Sequence, residues 1–180
     1  MDTSLKLIQF EDKYYEPLYK IYGEQSERLG VLPHKQYTTF EQFKENFRKH
    51  IEGKYTVFKI VRDDRYDFIG FLIAYDYSRN DAHLKVSVYI LPQFRALYGF
   101  LAVARFIGDL FRYFNLNKIF TEVYEFNEES IRMHEVFGFR REAVLQEYKY
   151  YDGKYYAMHI FSIGRDDFYD RIQKLGIGRG

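Results

Sequence analysis

The stretch "GFLAVARFIGDLFRYFNL", beginning at Gly99, constrains the fold more than any other. Its apolar residues Val103, Ile107, Leu110, Phe111 and Phe114 stand at offsets of 0, 4, 7, 8 and 11, the spacing of a single helix face. The runs beside it have a different period: "HLKVSVYILP" before it and "KIFTEVYEF" after it are rich in β-formers. A long amphipathic helix set between strands buries its apolar stripe on a sheet, which places the chain in the mixed α/β class.

The rest of the chain fits that class. "LKLIQF", Leu5 to Phe10, alternates as a strand, and "EPLYKIYGEQSE" follows with Pro17 suited to a helical first turn. In "TTFEQFKENFRKHIEG", Thr39 can cap a helix with Gln42 three residues later. Phe40, Phe43, Phe47 and Ile51 then repeat at helical spacing up to Gly53. "KYTVFKIVR" and "YDFIGFLIAYDY", parted by polar "DDR", read as an antiparallel hairpin, and the next strand stops at Pro92. After a short helix over "EFNEESIRMHEVFGF", two strands flank a Tyr-Asp-Gly turn, and "RDDFYDRIQKL" ends the chain as a helix. With no repeat, low-complexity segment or linker, residues 1–180 are expected to form one domain.

A chain of 180 residues can bury a sizeable core without covalent staples. The absence of cysteine excludes disulfides, thiolate metal sites and cysteine nucleophiles, and suits a reducing cytoplasm, the expected location. The five histidines form no pair at helical metal-ligand spacing and no HExxH pattern, so no metal is expected. A net charge of +1 offers no field to recruit nucleic acid or an anionic membrane. Apolar runs such as "FIGFLIAY" are too short to span a bilayer. The opening "MDTSLKLIQFEDKYY" carries acids and alternation where a signal peptide needs a basic and then an apolar block. Nineteen Tyr and eighteen Phe predict a core packed with rings.

Two stretches carry chemistry. "VYILPQFRALYGF" leads from a strand into a helix N-terminus, whose unpaired N–H groups and positive dipole end suit an anion, phosphate above all. Arg95 adds charge there, and Gly99 permits close backbone approach. In "EFNEESIRMHEVFGF", a helix read from Asn127 puts Asn127, Ser130, Ile131 and His134 on one face and breaks at Gly138.

In order and spacing these two stretches resemble the GNAT superfamily of N-acetyltransferases, closest to the branch of ribosomal-protein N-terminal and polyamine acetyltransferases. The specific part of the likeness is Asn127, Ser130, Met133, His134, Gly138 and Phe139. The resemblance implies a mixed, mostly antiparallel sheet with splayed central parallel strands flanked by helices. It implies acetyl-CoA as cofactor, its pyrophosphate on backbone groups of Arg95, Ala96, Leu97, Tyr98, Gly99 and Phe100. Backbone groups of Tyr89, Ile90 and Leu91 would bind the pantetheine and polarise the thioester carbonyl. Asn127 would hydrogen-bond the pantetheine arm, Ser130 would line the same side, and His134 would protonate the departing thiolate. The base that deprotonates the amine is expected among His83, Glu122 and Glu125. Alternation puts Glu122 and Tyr124 on one sheet face and Val123 and Glu125 on the other.

The chain departs from that family in two places. Its loop reads "RALYG" where the family has two or three glycines or small residues, so Tyr98 and Phe100 bring side chains where backbone meets phosphate. His134 replaces a tyrosine; as an imidazolium with a pKa near the ordinary value of about 6.5 it could protonate a thiolate of about 8.5. The expected activity is acetyl transfer to a primary amine, on a small molecule or a peptide, by direct attack in a ternary complex. The alternative is a catalytically inactive binding module of the same fold. Glu24 and Glu27, in the segment from Gly23 to Phe40, would suit a cationic acceptor. The aromatic-rich terminal strands could pair between copies as a homodimer. For the Tyr cluster "YKYYDGKYY", cross-strand packing is the expected role.

Overall fold

A computed structural model of the chain describes residues 4–29 and 39–176. The elements appear in the expected order. They are β1 (Lys6–Ile8), α1 (Tyr15–Leu29), α2 (Phe40–Ile51), β2 (Val57–Arg62), β3 (Gly70–Ser78) and β4 (His83–Ile90). Then come α3 (Phe100–Tyr113), β5 (Lys118–Tyr124), α4 (Glu128–Phe137), β6 (Arg140–Tyr151), β7 (Lys154–Gly164) and α5 (Arg165–Lys174). The seven strands follow the order β1-β2-β3-β4-β5-β7-β6. β1–β2, β2–β3, β5–β7 and β6–β7 pair antiparallel, whereas β4 and β5 pair parallel. This is the α/β class with a mostly antiparallel sheet. The chain groups into two compact units, one running up to Asp76 and including Ser87–Phe106, the other comprising Tyr77–Val86 and the chain from Ile107.

In the first unit, α1 and α2 supply rings to one face of β2 and β3. Thr39 caps α2 as expected: its backbone is extended and its Oγ1 accepts the Gln42 N–H at 3.2 Å. The helical spacing then buries both Phe43 and Phe47 completely. Tyr22 stacks on Phe71 at 5.9 Å and Phe71 on Tyr89 at 5.5 Å, while Phe47 meets Phe58 edge-on at 5.2 Å. Stacked and edge-to-face pairs at these separations add to the area they bury. β3 approaches β4 so closely that a Cβ on Gly70 would lie 2.1 Å from the Tyr89 carbonyl oxygen and 2.9 Å from Ile90 Cα. Only glycine fits there.

The second unit packs α4 and α5 on β5, β7 and β6. Asn127 caps α4, its Oδ1 accepting the Ser130 N–H at 3.4 Å. The helix closes at Gly138 with φ 96°, while Phe139 N–H donates to the His134 carbonyl at 2.9 Å, a left-handed glycine cap. Arg165 closes α3: its guanidinium donates to the carbonyls of Phe111 (2.6 Å), Phe114 (3.2 Å) and Leu116 (3.1 Å). Those are orphan acceptors of a helix end and the segment after it, met by a rigid five-donor fork. β6 and β7 turn through Asp152 and Gly153 at φ 48° and 82°, the left-handed pair a tight hairpin needs. Their tyrosines pack across the strands as expected, Tyr150 against Tyr155 at 5.2 Å.

Gly70→Ala forces its methyl into main-chain atoms that cannot give way as a side-chain tip could. The expected cost is at least about 1–3 kcal/mol. Thermal unfolding checks this, with a midpoint lowered by roughly 2–4 °C for each kcal/mol.

Candidate active site

The loop after β4 is more helical than the sequence suggests. Pro92–Phe94 form a 3-10 turn and Arg95–Gly99 a π-helical turn that runs into α3, so helical winding begins seven residues before the expected start at Gly99. A π turn closes its bonds from i to i+5, so it holds one more amide out of internal pairing at its opening than an α-helix does. The opening amides here are those of Ala96, Leu97 and Tyr98. No residue of this turn has a positive φ. A Cβ on Gly99 would meet nothing within 4 Å, so neither backbone geometry nor a protein neighbour demands glycine there, and the space beside it is open for close approach.

Two expectations about this loop are corrected. Tyr98 does not stand where a phosphate would meet the backbone: it is only 2% exposed, and its hydroxyl donates to Asp63 Oδ2 at 2.5 Å. Leu91 has both backbone groups engaged, its N–H donating to the Ile69 carbonyl at 3.0 Å and its own carbonyl accepting from Phe94 at 2.9 Å. It therefore has no free main-chain donor for a pantetheine. Tyr89 and Ile90 are buried in β4. Arg95 turns back along the chain, its Nε donating to the Ile90 carbonyl at 3.2 Å. Phe100 is half-buried and Leu97 is 53% exposed.

In the second unit, α4 brings Asn127, Ser130 and His134 together as the spacing predicts. His134 Nδ1 lies 2.7 Å from the Ser130 carbonyl and 3.4 Å from Ser130 Oγ. A carbonyl only accepts, so the ring proton sits on Nδ1 and the neutral ring presents its lone pair at Nε2. The imidazole stacks on Phe161 at 5.2 Å and meets Phe139 edge-on at 5.0 Å. Burial among these rings lowers the His134 pKa from its ordinary 6.5, with the Ser130 carbonyl opposing. His134 is therefore neutral at pH 7.

Two of the remaining acid–base candidates, Glu122 and His83, lie on the other face. Phe161 pairs with Thr121 and Phe120 with Lys85, and directly paired residues share a face. His134 thus rests on the face of Thr121, Val123 and Phe161. Glu122 alternates away from it and pairs with Lys85 at 2.8 Å, and His83 sits edge-on to Phe120 at 5.5 Å. The structure therefore groups His83, Lys85 and Glu122, and separates them from His134. Glu125 is occupied in the backbone, its Oε2 accepting the Ala157 N–H at 3.0 Å. Sequence reasoning missed two buried polar residues: Thr121 and His159 are 5% and 8% exposed, and their Oγ1 and Nδ1 have no hydrogen-bond partner among the described residues. Each is a polar residue at an inward strand position, which alternation alone could have flagged. The segment at 30–38, within the expected acceptor border, lies outside the described residues, as do the side chains of Glu24 and Glu27. Among the described residues no group of His, Asp and Glu is placed to hold a metal ion, and no helix is long and apolar enough to cross a membrane.

Comparison with known proteins adds the following. Residues 4–140 match the family profile described as an acetyltransferase (GNAT) domain. An uncharacterized, SPbeta prophage-derived N-acetyltransferase of Bacillus subtilis is 30% identical over 106 residues, 57% of this chain and 58% of that relative. The match thus spans less than two thirds of the relative's length. Spermidine N-acetyltransferase from Vibrio cholerae, solved with CoA and spermine, aligns with a TM-score of 0.81 and 19% identity over 92% of this chain and 98% of that one. The spermidine/spermine N-acetyltransferase of the same bacterium, solved with manganese ions, gives 0.79 and 20% over 93% and 96%. At such identities the likeness shows the fold.

Because the folded-state pKa of His134 lies below its ordinary value, the stability tied to the neutral ring is present above about pH 6.5 and is lost as pH falls through the lowered value. Wild type should therefore lose more thermal stability than His134→Gln between pH 8 and pH 5, in roughly the window where histidine titrates. Midpoints of both proteins at several pH values check this; parallel curves would count against a half-buried, neutral imidazole.

Proposed function

We propose that this chain, which belongs to the GNAT acetyltransferase family, is an acetyl-CoA-dependent N-acetyltransferase that acts on a primary amine by direct attack in a ternary complex. Family membership carries the donor, because GNAT acetyltransferases use acetyl-CoA. The loop after β4 fits a phosphate-bearing donor on two counts: its opening amides fall before the π-turn pairing, and the space beside Gly99 is open. Backbone donors of Ala96, Leu97 and Tyr98 would hold the pyrophosphate, with Gly99 and Phe100 beside it; the Arg95 N–H, expected among the donors, is already given to the Pro92 carbonyl. Tyr89 and Ile90 would border the pantetheine. Family membership would give Asn127 a pantetheine contact through its amide nitrogen, since its Oδ1 caps α4.

The single observation that carries the chemistry is the 2.7 Å hydrogen bond from His134 Nδ1 to the Ser130 carbonyl. It fixes the tautomer, so that Nε2 is the atom able to take up a proton. Acetyl-CoA supplies the acetyl group as a thioester. As the C–N bond forms and the C–S bond breaks, the proton lost by the amine nitrogen passes to Nε2 of His134, which returns it to the departing sulfur. A neutral histidine thus covers both halves of the proton balance. Ser130 is the residue that orients it.

The solved structures named above are spermidine N-acetyltransferases, so polyamines are the first acceptors to test, followed by peptide N-termini. We place the protein in the cytoplasm as a single acetyltransferase domain, with homodimer formation through β6 and β7 a further element of the proposal.

Two measurements test this. Acetyl-CoA at about 100 times its dissociation constant adds about 2.7 kcal/mol and should raise the thermal midpoint by roughly 5–10 °C; no shift at millimolar acetyl-CoA would favour the inactive binding module. With an acetylated amine in hand, His134→Ala should lower kcat by a factor on the order of 100 or more with the acetyl-CoA KM unchanged. For wild type, kcat/KM should rise with pH through a value below 6.5, because the neutral ring is the competent form. Equal turnover by wild type and His134→Ala would remove His134 from the mechanism.

A further inference from the structure

Asp63 is a carboxylate at the end of β2 with 1% of its surface exposed. A charge so buried must be met by donors, and each of its oxygens has them. Oδ1 accepts the backbone N–H groups of Arg65 (2.8 Å) and Tyr66 (2.6 Å) and so closes the turn toward β3. Oδ2 leaves that turn and accepts the hydroxyl of Tyr98, 35 residues away in the π turn, at 2.5 Å. The same hydroxyl oxygen accepts from Arg65 Nη2 at 3.1 Å, although the Arg65 side chain is 72% exposed. Rings connect the two segments: Tyr66 lies 4.7 Å from Phe94, and Phe94 lies 5.8 Å from Tyr98.

We infer that Asp63 and Tyr98 are positioning residues for acetyl-CoA, forming with Arg65 a latch that holds the amides of the Arg95–Gly99 turn in their binding arrangement. This rests on the acetyl-CoA reading of that loop given above. A phosphate-binding loop needs its donors fixed before the anion arrives, because ordering them on binding weakens affinity. Glycine-rich loops achieve the shape through backbone freedom; this loop, with one glycine and no positive φ, is held instead from the side. Tyr98 is thus the residue that lets a glycine-poor sequence keep a defined loop. The ionisation states agree. The Tyr98 hydroxyl first, then the backbone donors, hold Asp63 below the ordinary carboxylate value against the opposing effect of burial, and the Asp63 bond together with burial raises Tyr98, which stays a donor.

The test uses the full chain, wild type, Tyr98→Phe and Asp63→Asn. Tyr98→Phe removes one oxygen and keeps the ring. Amide hydrogen exchange in the ligand-free proteins reads whether the latch holds the loop, and calorimetric titration with CoA reads what that does for binding. The expected result is faster exchange confined to residues 94–100, a CoA dissociation constant raised roughly tenfold, as the loss of one buried hydrogen bond implies, and an acetyl-CoA KM raised by a larger factor than kcat falls. Should one variant fail to fold, the other decides. Faster exchange with unchanged CoA affinity would show a merely structural contact and overturn the inference, and so would unchanged exchange. If wild type itself does not bind CoA, the functional reading and the cofactor role of the latch both fall, while the exchange data still report separately on whether Tyr98 holds the loop.

Discussion

The first unit turns on one buried charge. Asp63 could have been an apolar residue at the end of an apolar strand, and a carboxylate there is unfavourable unless every lone pair direction is met. It is met by three N–H or O–H donors with the Arg65 guanidinium nearby. Two of those donors belong to its own turn, so the third decides what else the charge governs. Because it comes from Tyr98, the geometry of the β2–β3 turn and that of the loop before α3 are set by the same atom pair. Neither segment can shift without leaving a buried oxygen unpaired, which is the most costly way for a polar group to be left.

In the second unit α4 follows a comparable logic with uncharged partners. Asn127 is on the stripe because the helix needs a cap, and its Oδ1 provides it. Ser130 contributes more through its backbone than its side chain: its carbonyl stands one turn before His134 and receives the ring's N–H at 2.7 Å. Phe161 and Phe139 then confine the imidazole from the face and the edge. The three residues share a stripe because one begins the helix, one orients a ring, and one presents that ring's second nitrogen.

How legible this was in the sequence depended on the range of the interaction. Features set by neighbours along the chain were readable: the periodicity of α3, the Thr39 cap, the Asn127 stripe with its break at Gly138, and the alternation that parts Glu122 from Val123. Features set across the sheet were not. Counting glycines in "RALYG" suggested an intrusive Tyr98, because the sequence does not reveal that its hydroxyl has a carboxylate to reach 35 residues earlier. Likewise the Lys85 partner of Glu122 and the Ile69 carbonyl that occupies the Leu91 amide depend on strand register. A π turn has no composition of its own, so the early winding after Pro92 was invisible too.

The exchange of tyrosine for histidine at position 134 changes the proton logic and not only the pKa. A phenol is a donor in its resting state and must be reprotonated after use. A neutral imidazole with Nδ1–H committed to a carbonyl begins with a lone pair, so it has to receive a proton before it can give one. Burial, which depopulates the imidazolium that a resting acid would require, favours this resting state. The same ring stack that lowers the His134 pKa therefore suits the proposed mechanism, in which this residue would take its proton from the attacking amine. It also reduces the need for the carboxylate of Glu122, whose ion pair with Lys85 and place on the opposite sheet face leave it poorly arranged to share the task.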